Sequence, residues 1–132
     1  EEQNIILPGK TEKQVNMEVF ELAKDLFGID KYWHKRIVRA GKNTLYPYDA
    51  NPPNLTLTND DIVFLDFGPI FDDYEADFGR TYVIGNDQKK ISLKHDVEDA
   101  WYEAHEWFLQ HTYITGSDFY KYLKIFIHKR CN

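Results

Sequence analysis

Asp66 to Asp77 reads DFGPIFDDYEAD, and it lies between two apolar runs, Asp61–Gly68 (DIVFLDFG) and Phe78–Ile84 (FGRTYVI), the second closed by Gly85-Asn86. Runs of this length, rich in β-branched and aromatic residues and bounded by turn formers, predict two strands. Gly68-Pro69 breaks the chain between them and favours a turn. Paired as an antiparallel hairpin centred between Phe71 and Asp72, the runs set Asp66 and Asp77 directly opposite each other on one face. Cross-strand neighbours have Cβ atoms only ~4.5–5.5 Å apart, so two carboxylates placed there repel. A shared proton, a basic side chain or a divalent cation would neutralise them. Arg80 is near in sequence, but strand parity turns it to the other face. A cation is an attractive resolution, since hard divalent metals favour oxygen ligands. The alternative is a bulged loop whose aspartates face solvent. Asp72, Asp73 and Glu75 make the tip acidic, in the manner of a solvated turn. The stretch lacks the alternating ligands, central glycine and closing glutamate of a calcium loop.

Upstream, Ile5-Ile6-Leu7 and Pro8-Gly9 form a lead-in. Thr11 to Gln14 has the Thr-x-x-Gln form of a capping box. Val15, Val19, Leu22, Ala23 and Leu26 then recur at helical spacing up to Gly28, which predicts a helix over about 11–27. A short strand is expected at Arg36–Val38 and a turn at Gly41–Asn43. Residues 44–60, with Pro47, Pro52 and Pro53, read as irregular. Downstream, Val97, Ala100, Trp101, Ala104 and Phe108 form one helical stripe over roughly 93–112. Phe119, Tyr122, Leu123, Phe126 and Ile127 form another, after a break and N-cap in Thr115-Gly116-Ser117-Asp118. Trp101 and Trp107 read as core. No Pro-rich, Ser-rich or low-complexity linker marks a domain boundary. Gly9-Lys-Thr-Glu and Gly116-Ser-Asp-Phe open their helices alike, an echo that suits a fold of two related halves.

The chain's 132 residues are 42% hydrophobic and 16% aromatic, enough to bury a core. Its net charge of −6 disfavours nucleic acid or an anionic membrane as partner. No apolar run reaches the ~20 residues of a membrane span, and no signal-peptide pattern opens the chain. The single cysteine, Cys131, excludes an internal disulfide and a thiolate metal cluster. A cytoplasmic α+β domain of antiparallel strands and covering helices is the expectation.

Asp66-Phe-Gly, followed by Asp77-Phe-Gly-Arg80-Thr81, resembles the metal-binding hairpin of the pita-bread metallopeptidases, the family of aminopeptidase P, methionine aminopeptidase and creatinase. Pro8-Gly9-Lys-Thr11-Glu12 resembles the segment before that domain's first helix. Arg36-Ile-Val-Arg-Ala-Gly41-Lys-Asn43 resembles its next strand and turn. The order is kept over nearly the whole chain, and the likeness is nearest to the Xaa-Pro aminopeptidase-like members. It implies that residues 1–132 are a partial domain, the first half of the pita-bread fold with the second begun at about 114. It also implies that Asp66 binds one metal, that Asp77 bridges two, and that Arg80 and Thr81 support these ligands. Two divalent ions (manganese, cobalt or zinc) would turn water into hydroxide for attack on a peptide bond. Aminopeptidase P and prolidase members cut before proline, whereas creatinase members cleave a non-peptide C–N bond.

The family completes its site with a histidine and two glutamates from the second half, which no motif here matches. The remaining metals' ligands are therefore unassigned, and little or no activity is expected of residues 1–132 alone. His95, His105, His111 and His128 read as helix-surface residues, and His34, beside Trp33, as packing. A substrate-binding histidine usual before the first aspartate strand is also missing, and Tyr46 or Tyr48 can take its place through a phenol hydrogen bond. Its absence keeps a second reading open, a non-catalytic pita-bread module that binds peptides or proteins. A half-domain also exposes the face that would meet its other half, and two copies can cover it as a homodimer.

Overall fold

In a computed structural model, residues 4–130 are described, so Glu1–Gln3 of the lead-in and Cys131 lie outside. The chain divides into two compact units, residues 1–91 and 92–132. The division falls inside a helix, where no shift in composition marks it.

The first helix, α1 (Glu12–Phe27), starts on the anticipated capping box. Thr11 Oγ1 accepts the Gln14 N–H at 3.2 Å, and Gln14 Oε1 accepts the Thr11 N–H at 2.8 Å. It ends at Gly28, whose φ of 68° is the left-handed conformation that spares glycine a Cβ clash. Glu12 is buried in its first turn, where its carboxylate accepts the Ala40 N–H at 2.7 Å and the Leu55 N–H at 3.1 Å. Both of its oxygens also take Asn43 Nδ2 at 3.0 Å. A buried charge is tolerated only when its lone pairs are filled in this way. Glu12 thereby ties the helix start to a strand end and to the irregular segment.

The sheet has the order β1-β2-β5, all antiparallel: β1 (Ile37–Ala40), β2 (Ile62–Phe67) and β5 (Phe78–Val83). A 3₁₀ turn, Gly41–Leu45, follows β1, and two short strands, β3 (Ile70–Phe71) and β4 (Tyr74–Glu75), form the hairpin tip. Residues on opposite sides of β2 sort by parity. Val63, Leu65 and Phe67 join Val38 and Ala40 of β1, Val15 of α1 and Leu57 in the buried core. Asp66, Phe64 and Ile62 point to the opposite face, with Ile37 and Arg39.

The hairpin register differs from the sequence expectation. Phe71 pairs with Tyr74 and Ile70 with Glu75, so the turn is centred between Asp72 and Asp73 rather than between Phe71 and Asp72. Asp72 takes a φ of 53°, a left-handed conformation that aspartate tolerates in tight turns. The shift of one residue in the turn moves the pairing by two, and Asp66 faces Gly79 instead of Asp77.

Arg39 is 4% exposed and wrapped by the irregular segment. Its guanidinium donates to the carbonyls of Tyr46, Pro47, Tyr48 and Ala50, the last at 2.9 Å. Five donors in a planar fork suit such a cluster of carbonyls.

Helix α2 (Gln88–Leu109) begins five residues before the apolar stripe, because Asp87 Oδ1 accepts the N–H groups of Lys89 at 2.8 Å and Lys90 at 3.3 Å. Those backbone bonds, Lys90 first, hold the Asp87 carboxyl below its ordinary pKa. Helix α3 (Gly116–Arg130) is capped by Thr115, whose Oγ1 accepts the Asp118 N–H at 3.2 Å. Within the second unit the small residues Ala100 and Ala104 are buried, and Trp107 stacks on Tyr122 with ring centres 3.8 Å apart. Trp101 does not enter a core. It is 58% exposed and lies flat on His105, its helical neighbour one turn on. Among the described residues no helix is long and apolar enough to cross a membrane.

Candidate metal centre

Asp66 stands near the end of β2, and Asp77 immediately precedes β5. Because Asp66 faces Gly79, Asp77 is its diagonal neighbour, on the same face by parity. Diagonal cross-strand residues are ~7–8 Å apart at the backbone, within reach of converging side chains. The two carboxylates do converge, and a third group meets them. One ligand atom each from His34, Asp66 and Asp77 lies within 4.8 Å of the other two. No other set of three such donors among the described residues is so close.

His34 arrives on a segment strapped across the neck of the hairpin. The Trp33 N–H donates to the Gly68 carbonyl at 3.0 Å, and the Ile70 N–H to the Lys31 carbonyl at 3.0 Å. Trp33 Nε1–H reaches the Ala76 carbonyl at 2.8 Å, while its ring meets the His34 ring edge-on, with centres 4.5 Å apart. The imidazole is 8% exposed, with Nδ1 held 2.8 Å from the Lys35 carbonyl. Nε2 points at the aspartates, 3.7 Å from Asp66 Oδ1 and 3.9 Å from Asp77 Oδ1.

Gly68 makes this arrangement possible. A Cβ there would stand 2.5 Å from His34 Nε2 and 2.6 Å from Trp33 Nε1, and closer still to His34 Cδ2. Any side chain would displace the ring.

No lysine or arginine among the described residues pairs with either aspartate; the side chain that meets both is His34. Arg80 pairs with Leu65 and so belongs to the other face, where it donates to the Gly79 carbonyl and lies over the Phe78 ring. Thr81, opposite Phe64, shares the aspartates' face. Of the two tyrosines, Tyr48 sits beside the cluster, its ring centre 6.1 Å from that of His34, with the Lys35 ammonium above it. Tyr46 contributes its carbonyl to Arg39 and leaves its side chain 46% exposed. Two carboxylates converging with an imidazole, free of Lys or Arg, are a donor set suited to a divalent ion.

The sequence reads His34 as a packing residue, whereas its ring meets both aspartates, and it gives Arg39 no role of its own. His34 lies far from either aspartate in sequence, and its one signal was being the sole histidine before His95. Arg39 sits in a strand at a position whose partners are all backbone carbonyls, which no side-chain motif reveals. Next to the strap, burial raises the Tyr32 phenol pKa against the lowering effect of Arg36.

Residues 2–129 match metallopeptidase family M24. Among solved structures, recombinant prolidase from Thermococcus sibiricus is similar, with a TM-score of 0.61 and 28% sequence identity over 76% of this chain. The match covers 26% of the prolidase chain, so residues 1–132 correspond to a minor part of that protein's length. No curated protein sequence matches.

Proposed function

The chain belongs to metallopeptidase family M24, and from that membership we propose that its aspartate face is part of a dinuclear peptidase site for peptides with proline after the scissile bond. The convergence of Asp66 and Asp77 on one face of the β2–β5 pair carries the reading. Asp66 and Asp77 would hold the divalent ions. Bound divalent ions supply Lewis acidity toward a carbonyl oxygen and lower the pKa of water toward neutrality.

This chain's own residues supply position. The sheet pairing sets the carboxylate separation, and the strap carrying Trp33 and His34 closes one side of it. Arg39 gathers the 46–50 carbonyls and so fixes where Tyr48 stands beside His34. The Tyr48 hydroxyl is then available to hydrogen-bond a peptide substrate. The family's histidine and glutamate ligands are assigned to no residue of this chain, and residues 1–132 by themselves are expected to turn over little substrate. A peptide-binding module without catalysis is the second reading, favoured by the lack of a histidine between 35 and 94.

Hydrolysis of Xaa-Pro against Xaa-Ala peptides, with bound-metal content measured in parallel, tests the proposal. Asp66→Asn and Asp77→Asn should each lower metal occupancy and cut any turnover beyond the ~100-fold typical of losing an outer partner of a ligand. Metal content and turnover unchanged in both variants would overturn it. Peptide binding without metal would favour the binding module instead.

A further inference from the structure

We propose that His34 is itself a metal ligand, completing with Asp66 and Asp77 a one-nitrogen, two-oxygen site that lies wholly within this chain. The inference rests on the aspartates being metal-binding, and it adds a donor and a selectivity that they alone would not have.

The tautomer is the first ground. A backbone carbonyl can only accept, so the Nδ1 contact at 2.8 Å with the Lys35 carbonyl requires the proton on Nδ1. In the neutral ring Nε2 then presents a lone pair, and that lone pair faces two carboxylates. An acceptor turned toward two anions is unfavourable unless something positive stands between them. A proton on Nε2 is one answer, but charge-assisted N–H···O bonds close to ~2.7–2.9 Å, and the separations are 3.7 and 3.9 Å. Ligand atoms around one tetrahedral ion with bonds of ~2.1 Å stand about 3.4 Å apart. The distances found are those of atoms around a common centre more than of atoms bonded to each other. A ligating histidine that donates its other N–H to a backbone carbonyl is the usual means of fixing ring orientation.

The second ground is the work the fold does to seat this ring. The imidazole is 8% exposed. Gly68 leaves the space that a Cβ would fill, and Trp33 is bonded to the hairpin on both its backbone and its indole N–H. Simple apolar packing would not require a polar ring in that space, nor Nε2 turned toward the aspartates. Imidazole with two carboxylates favours zinc, cobalt or manganese over magnesium and calcium, which prefer all-oxygen surroundings.

The test reads the nitrogen directly. Protein labelled with ¹⁵N in its histidines is titrated with Zn²⁺, and the His34 Nε2 resonance is followed in the unmutated chain, so no variant need fold. Nε2 should move to a metal-bound position while Nδ1 keeps its proton. In parallel, calorimetry with Zn²⁺ and Mg²⁺ compares the unmutated protein with His34→Gln, Asp66→Asn and Asp77→Asn. His34→Gln should weaken Zn²⁺ by at least ~10-fold and narrow the preference for Zn²⁺ over Mg²⁺. If Zn²⁺ binding depends on both aspartates while Nε2 does not shift and His34→Gln binds as before, the proposal is overturned and the peptidase reading stands. If the aspartate variants bind Zn²⁺ like the unmutated protein, both fall together.

Discussion

Replacing Gly68 by alanine should destabilise the protein, against the usual sign for this substitution. Gly→Ala at a conformation alanine can adopt stabilises by ~0.4–1 kcal/mol through the unfolded chain, and Gly68 does not take a positive φ. The added methyl would nevertheless lie 2.5 Å from His34 Nε2 and 2.6 Å from Trp33 Nε1, well inside ordinary contact. Two rings must move. Forced overpacking of this kind costs ~1–3 kcal/mol, and shifting the indole from the Ala76 carbonyl forfeits a hydrogen bond of about 0.5–1.5 kcal/mol. Set against the entropic gain, the net loss is about 0.5–4 kcal/mol. Urea unfolding followed by tryptophan fluorescence measures it. Combining Gly68→Ala with His34→Ala removes one of the clashing rings, so the double variant should lose less than the two single losses added together. A Gly68→Ala protein as stable as its parent, or an additive double variant, would refute the claim that the glycine exists to seat His34.

Glu12→Gln keeps the side chain's volume but turns an amide donor toward Asn43 Nδ2 and the Ala40 and Leu55 N–H groups. Losing charged-acceptor bonds of ~1.5–3 kcal/mol each should lower the unfolding free energy by at least one such bond, measured by chemical denaturation. An unchanged midpoint would show that the buried carboxylate is not the clasp described. Leu57, 1% exposed in the core, should cost ~2–5 kcal/mol on truncation to alanine, whereas alanine at exposed Leu45 should cost little. Asp87 and Asp118 are both held below the ordinary carboxylate pKa, Asp87 first by the Lys90 backbone N–H and Asp118 first by the Thr115 hydroxyl. Depressed folded-state pKa values mean stability present above the unfolded value of ~3.9 and lost as pH falls through the lower folded ones. Helicity followed by circular dichroism should therefore decline below about pH 4, and Asp118→Asn should remove part of that decline. A decline of the same size in the variant would sink that assignment.

Much of the architecture was legible because local chemistry and tertiary packing agree. Thr11, Gln14 and Gly28 bound α1 as their capping chemistry dictates, and the two apolar runs pair as strands. The register was not legible. A turn centred one residue earlier would have been equally consistent with the alternation of apolar residues, since it moves every pairing by two and leaves each side chain on its own face. What decides is the tip, where Asp72 accepts a left-handed φ and Phe71 pairs with Tyr74. The aspartates were legible as a pair for the same parity reason, while their cross-strand geometry was not.

That displaced register explains why the site has room for a third group. Directly opposed carboxylates would fill the space between the strands with their own side chains. In the register found, Asp66 faces Gly79, and extending the pairing by one residue brings Asp77 opposite Gly68. Each aspartate thus looks across at a glycine, and the diagonal between them is left unfilled by any opposing Cβ. His34 enters through the gap at Gly68, carried by a strap whose bonds go to the backbone on either side of the hairpin neck. The two glycines, read in sequence, are simply the third residues of Asp66-Phe-Gly and Asp77-Phe-Gly. Read in the sheet, they are the vacancies that allow two carboxylates and an imidazole to meet. Gly79 makes this testable apart from Gly68: an added Cβ would meet the Leu65 carbonyl at 3.5 Å, an ordinary contact. Gly79→Ala should therefore leave stability within about 1 kcal/mol of the parent while narrowing the approach to Asp66. If it instead destabilises as much as Gly68→Ala, the two glycines serve the strand and not the site.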